Sequence, residues 1–226
     1  MIIQIYAFTD PKTAAAAVDM GVDHIGFVAG KYNEVPAELS FEEAHAIVAA
    51  LPGKATAVAL TMSKDVDEIL RMVAAVQPHI VHISSDLELV PVETMRELRR
   101  RLDGKARLMK AIPVENESSI AIAREFAQVS DLLLLDTKHP DFPGVGATGF
   151  IHDWSVSRRI VESVNIPVIM AGGLTPENVG AAMREIKPWA VDSNTSTTVP
   201  GSNVDKDLGR IKAFIDSIRA AEREQA

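Results

Sequence analysis

Short runs rich in β-branched and other apolar residues alternate with helix-like patterns along the whole 226-residue chain, and this alternation restricts the fold more than any other feature. The strand-like runs are Ile2–Tyr6, His24–Val28, Thr56–Leu60, Ile80–Ile83, Arg107–Ile112, Leu132–Leu135, Pro167–Met170 and Ala190–Asp192. Helical patterns follow at Pro11–Met20, Phe41–Leu51, Val66–Val76, Val92–Leu102, Ser118–Gln128, Ser157–Ser163, Pro176–Ile186 and Asp205–Arg223. Punctuation residues set the limits. Gly21 is placed as a C-cap, Ser40 and Glu43 as a capping box, Pro78 as a stop, and Thr175 as an N-cap before Pro176. Eight strand–helix units call for a parallel sheet buried on both faces. An open doubly wound sheet is the alternative. Ala7-Phe8-Thr9-Asp10-Pro11 follows the first strand, however, where a dinucleotide-binding sheet puts a glycine-rich turn. The expectation is an α/β protein, a single (β/α)8 TIM barrel over residues 1–226.

Hydrophobic residues make up 47 % of the chain, enough for a large core, and the formal net charge is −8. The one dense basic run, Arg99-Arg100-Arg101, closes a helical pattern, where positive charge favours the helix C-terminus. It reads as a solvated helix end, so no nucleic-acid partner is expected. The chain has no cysteine, which excludes disulfides, thiolate–metal sites and cysteine nucleophiles. Its histidines show no metal-ligand spacing, and neither metal nor cofactor is expected. The apolar start Met1-Ile2-Ile3-Gln4-Ile5 is too short for a signal peptide, and no apolar run reaches about 18 residues. A soluble cytoplasmic protein without a membrane partner is the expectation.

In a barrel the site is built at strand C-termini and the loops after them. Asp136 follows four leucines there, and Asp192 ends the last strand. Gly172-Gly173 leads from the strand at 167–170 toward a helix start, and Asn194 and Thr195 follow the last strand. Exposed N–H groups and a helix dipole at such turns suit an oxyanion. Gly146 and Gly149 belong to a third glycine-rich stretch, inside the one long connection, His139–Trp154. His82 and Ser84 share one face of their strand, which brings His82 to the site if that face is inward. Lys110 is a candidate substrate contact, through a Schiff base if desolvated, with a structural or electrostatic role the favoured alternative to that chemistry. Trp154 and Trp189 read as packing residues. The partner expected is a small phosphorylated metabolite.

Over nearly its whole length the chain resembles phosphoribosylanthranilate isomerase. The resemblance rests on Asp10–Val28, Leu132–Lys138, Gly146–Trp154, Pro167–Val179 and Ala190–Asp192. It implies that Asp136 is the general acid, and that Gly172, Gly173, the Gly146–Gly149 loop and the residues after Asp192 hold phosphate. The departures are as specific. Where the family has Lys-Ile-Cys-Gly, with the Cys as base, this chain has Gln4-Ile5-Tyr6-Ala7. Lys31-Tyr32-Asn33-Glu34-Val35 offers no counterpart to the arginine that pairs with the anthranilate carboxylate. The family's Gln-Leu-His-Gly reads His82-Ile83-Ser84-Ser85, and its Ser-Ser-Gly-Val-Glu reads Asn194-Thr195-Ser196-Thr197-Thr198.

Read together, these changes lead to an expectation of isomerase-type acid/base chemistry on a phosphorylated sugar other than phosphoribosylanthranilate. Asp136 is then the acid, His82 or Tyr6 its partner, and Lys110 and Asp192 further substrate contacts. Two alternatives stand beside it. One is a non-catalytic phosphometabolite-binding or regulatory protein. The other is a genuine phosphoribosylanthranilate isomerase of tryptophan biosynthesis. A homodimer is compatible with either.

Overall fold

The computed structural model describes residues 1–138, 144–146 and 151–225. Its elements run β1 Ile2–Ile5, α1 Pro11–Met20, β2 His24–Ala29, β3 Glu38–Leu39, α2 Phe41–Ala50, β4 Thr56–Thr61, α3 Val66–Val76, β5 Ile80–Ile83, α4 Val92–Leu102, β6 Arg107–Pro113, α5 Ser118–Ala127, β7 Leu132–Asp136, α6 Trp154–Ser163, β8 Val168–Met170, α7 Val179–Ile186, β9 Ala190–Ser193 and α8 Leu208–Gln225. All the strand pairings in the sheet are parallel. β1 pairs with both β9 and β2, which closes the eight long strands into a barrel. β3 lies outside the ring and pairs only with the end of β2, Val28 opposite Glu38.

Side-chain alternation divides the core into two layers. On β7, Leu132 and Leu134 join the barrel interior with Val58, Ile80, Met109 and Ile169. Leu133 and Leu135 face the helices, in the larger cluster with Ile83, Ile120 and Ile160. A strand buried on both faces needs a continuous apolar run, which is why four leucines stand in a row. The helices supply the matching stripe. α3 buries Ile69, Met72, Val73 and Val76, spaced for one face, and Asp65 caps it by accepting from Asp67 N and Glu68 N. The Ser40–Glu43 capping box and the left-handed Gly21 cap form as expected. Arg99 of the basic triplet pairs with Asp131, and Arg101 with Asp67.

Several limits differ from the sequence reading, and α8 begins at Leu208, three residues later than Asp205. β3 has no strand-like pattern of its own. It forms because Glu38 accepts from the N–H groups of Asn33, Glu34 and Val35 and folds that loop back onto β2. The regular part of α7 begins at Val179, three residues later than Pro176. Thr175 still caps the preceding turn, accepting Glu177 N on its hydroxyl. α6 starts at Trp154, earlier than Ser157, because Asp153 caps it through Ser155 N. Among the described residues no helix is long and apolar enough to cross a membrane.

Candidate active site

Asp136 ends β7 with the inward parity of Leu132 and Leu134. Its Oδ1 accepts the N–H of Thr137 at 2.7 Å. Two glycines press on its carboxylate. A Cβ on Gly146 would stand 2.5 Å from Oδ2, and one on Gly172 would stand 3.2 Å from Oδ1. Both glycines have positive φ, 105° and 82°. No other residue fits either backbone or the space beside the acid. The 144–146 segment is fixed over Asp136 by three bonds: Gly146 N to Thr137 O, Val145 N to Ser84 O, and Ser84 Oγ to Val145 O.

Asp192 points inward from β9. Its Oδ1 accepts from Gln4 Nε2 at 3.1 Å. Gln4 Oε1 in turn accepts from His24 Nδ1 at 3.1 Å, and the His24 ring packs against Trp189. Burial pushes Asp136 up to about 7. It pushes Asp192 up to about 8, helped by the charge of Asp136 and opposed by the Gln4 bond and by Lys206. The charge of Asp136 acts on Asp192, so the two carboxyls release their protons as a pair.

The two acids stand where two cavities meet. One, of about 570 Å³, is lined by Gly172, Gly173, Thr175, Asn194, Thr195 and Ser196. The backbone N–H groups of Gly173, Leu174, Asn194 and Thr195 have no hydrogen-bond partner among the described residues. Unpaired N–H groups around a polar cavity are the elements of an anion cradle. The second cavity, of about 510 Å³, has a mainly apolar wall that includes Val28, Val35, Leu60, Met62, Leu134 and Val199. Asp136, Asp192, Asn194, Thr195 and Arg210 line both, and among the described residues Arg210 is the only cation on either wall.

Tyr6 and His82 face this second cavity together with Asp136. The Tyr6 ring lies over Gly26, whose missing side chain leaves it room: a Cβ there would be 2.4 Å from the ring. The phenol reaches His82 Nδ1 at 2.8 Å. Neither group is set up as a base. Burial first, then the charge of Asp192, raise Tyr6 well above its ordinary value, so the phenol stays protonated. Burial and the charge of Lys110 push His82 down to about 3, which leaves it neutral and weakly basic.

The structure therefore brings together Asp136, Asp192, Tyr6, His82, Gly146, Gly172, Gly173, Asn194 and Thr195. Gly149, with the rest of 147–150 and 139–143, lies outside the described residues. Lys110 is placed elsewhere. It occupies the outer face of β6, beside Ile83 and Leu133 in the ladder, with Nζ donating to the carbonyls of Ile83 and Ser85 and lying 5.8 Å from the Phe126 ring centroid. Strand parity turns it away from both cavities, so its expected substrate contact is not met. Four residues escaped the sequence reading. Gln4 shares the inward parity of Tyr6 and was legible from alternation. Lys206, donating to Asn194 O, Asn194 Oδ1 and Thr198 Oγ1, was not, because nothing local ties it to the turn it holds. Arg210 likewise enters from α8. His152, read as an isolated histidine, stands beside Gly172, its Nε2 2.7 Å from Ser157 Oγ and its Nδ1 buried without a partner.

The fold and site define a closed (β/α)8 barrel with unpaired N–H groups after its last two strands and a protonatable carboxylate beside them, the place where barrels carry their sites. The family described as N-(5'-phosphoribosyl)anthranilate (PRA) isomerase matches residues 3–217. A protein of Haloferax volcanii named N-(5'-phosphoribosyl)anthranilate isomerase is 32 % identical over 97 % of this chain and 93 % of its own. The phosphoribosyl anthranilate isomerase of Thermus thermophilus superposes with a TM-score of 0.80 at 22 % identity, covering 97 % of this chain and 99 % of its own. A second solved structure is the same enzyme in complex with reduced 1-(o-carboxyphenylamino)-1-deoxyribulose 5-phosphate. It matches with a TM-score of 0.75 at 25 % identity, covering 97 % of this chain and 100 % of its own. The chain belongs to the N-(5'-phosphoribosyl)anthranilate isomerase family, a family of isomerases.

These likenesses overturn the expectation of a different phosphorylated sugar. The departures at Tyr6, Glu34 and Asn194–Thr198 sit within a chain that matches curated phosphoribosylanthranilate isomerases over nearly its whole length. The alternative of a genuine phosphoribosylanthranilate isomerase is the reading they support.

Proposed function

We propose that this protein isomerises N-(5'-phosphoribosyl)anthranilate to 1-(o-carboxyphenylamino)-1-deoxyribulose 5-phosphate, in the cytoplasm, as a step of tryptophan biosynthesis. One observation carries the reading. A polar cavity with unpaired N–H groups and a mainly apolar cavity meet at Asp136. The substrate has the same plan, with a phosphate at one end, an aryl ring at the other and the reacting carbons between.

The phosphate is held by the N–H groups of Gly173, Asn194 and Thr195. The ring lies in the apolar cavity, with Arg210 the available cation for either anionic end. The reaction opens the furanose and then moves a proton from C2' to C1'. Opening the ring breaks the C1'–O bond, and the leaving oxygen needs a proton. Asp136 supplies it. A carboxyl raised to about 7 still carries a proton in much of the population at neutral pH, and one at the ordinary value does not. The nitrogen lone pair takes the place of the broken bond and leaves an iminium ion at C1'.

Expression in a tryptophan auxotroph lacking this isomerase is the test. Growth without tryptophan is the expected result. Soluble expression at ordinary levels with no growth would refute the assignment.

A further inference from the structure

The C2' proton needs a base, and this chain has no cysteine to provide one. Among the described residues the titratable groups on the two cavity walls are few. Glu34 and Glu177 are exposed at the rims, away from the junction where the cavities meet. Tyr6 and His82 are bonded to each other. Asp136 is committed as the acid. Asp192 remains, at the junction, on both walls.

We propose that Asp192 is the general base of the isomerisation, its carboxylate aimed by the buried Gln4–His24 string. This deepens the proposed function and rests on it. The string does one mechanical job. A neutral His24 must donate from Nδ1, because Gln4 Oε1 can only accept, and this turns Gln4 Nε2 toward Asp192 Oδ1. Oδ1 is thereby occupied, and Oδ2, which has no partner among the described residues, is left for the substrate.

The step balances. Asp192 takes the proton from C2' and becomes a neutral acid. The C–H electron pair becomes the C1'=C2' double bond, and the iminium π pair returns to nitrogen. The resulting enolamine gives up its O2' proton and gains one at C1', which yields the ketone with no net loss of protons. Asp136, ionised after opening the ring, takes the O2' proton, and the neutral Asp192 returns its proton at C1', which restores the starting state of both acids.

The charged and titratable groups around Asp192 are Asp136 on β7, Tyr6 just after β1, Lys206 before α8 and Arg210 on α8, with His24 on β2 reaching it through Gln4. The upward push on Asp192 that comes from Asp136 exists only while Asp136 is ionised. With the proton on Asp136, as the first step requires, that push is gone. Burial, the largest cause of the upward shift, remains, and Lys206 and the Gln4 bond oppose it in favour of the Asp192 carboxylate. One shared proton thus defines the active form. Activity falls when the pair binds a second proton at low pH, and again when it loses both at high pH.

The test uses Asp192→Asn and Gln4→Lys in the full-length enzyme. Asp192→Asn should lower kcat by about 10²-fold or more. Binding of the reduced product, 1-(o-carboxyphenylamino)-1-deoxyribulose 5-phosphate in reduced form, should change by less than about fivefold, because the asparagine keeps the shape. Gln4→Lys puts a cation beside Asp192 and should move the acidic limb of the kcat profile to lower pH, a shift that a purely structural role for Asp192 would not give. An active parent with an Asp192→Asn variant of similar kcat overturns this inference and leaves the isomerase assignment standing. A parent that binds the reduced product but turns over no substrate overturns both.

Discussion

The Tyr6 hydroxyl lies 2.8 Å from His82 Nδ1, a bond that spans the barrel interior from the end of β1 to β5. It places a phenol where the resemblance puts a catalytic thiol, and ties that phenol to a neutral imidazole. Tyr6→Phe deletes the bond and keeps the ring. Because the partner nitrogen is buried, the variant should lose about 1–3 kcal/mol of stability. Its kcat should stay within about tenfold of the parent, since a general base contributes about 10²-fold or more. Denaturant unfolding and steady-state kinetics on the same preparation check both halves. A loss of about 10³-fold in kcat would make Tyr6 the base.

Gly146→Ala tests the packing over the acid. The added methyl group meets Asp136 Oδ2 at 2.5 Å from a backbone with φ 105°. The carboxylate or the 144–146 segment has to shift. A displacement of about 1 Å at a catalytic group can cost 10²-fold, so kcat should fall by about that factor. Binding of inorganic phosphate, proposed for the other cavity, should be nearly unchanged. Calorimetry and kinetics separate the two effects, and an alanine variant with parental kcat would show that the acid tolerates the crowding.

Lys110 offers a stability test independent of catalysis. Burial lowers it from 10.5 to about 7 in the folded protein. Between about 7 and 10.5 the unfolded chain therefore holds a proton that the folded chain has released. Stability from this group rises with pH through that window, by at most about 1.4 kcal/mol per pH unit. Lys110→Met removes the titration. The stability of the parent relative to the variant should climb from pH 7 to pH 10, as read by urea unfolding. A difference that stays flat over this range would show that the lysine is not desolvated.

Much of the barrel was legible because its physics is local. Leu132–Leu135 announces a strand buried on both sides, and Ser40 with Glu43 announces a helix start. The turn at Gly172-Gly173 was legible for the same reason, since its glycines are needed by the backbone itself. What escaped is set by contacts across the ring. Lys110 was assigned to the site by residue type, and strand parity, countable from the sequence, sends it to the helix layer. Tyr6 was found by position, but its bond to His82 joins residues 76 apart in sequence. Lys206 and Arg210 come from the far end of the chain. The chemical departures at Tyr6 and Glu34, read together, led to a changed substrate because they were set against a few motifs and not against the whole chain. The whole-chain likeness to phosphoribosylanthranilate isomerases outweighs them.

Asp136→Asn bears on the central claim most directly. The asparagine has nearly the shape of the acid but donates no proton to the leaving ring oxygen. Single-turnover conversion of N-(5'-phosphoribosyl)anthranilate by parent and variant, with the affinity of each for the reduced product, is the measurement. The parent should convert the substrate. The variant should be slower by about 10²–10⁴-fold, with affinity changed by less than about fivefold. A variant as fast as the parent, or a parent that converts nothing while binding the reduced product, would contradict the claim that this barrel is an isomerase working through Asp136.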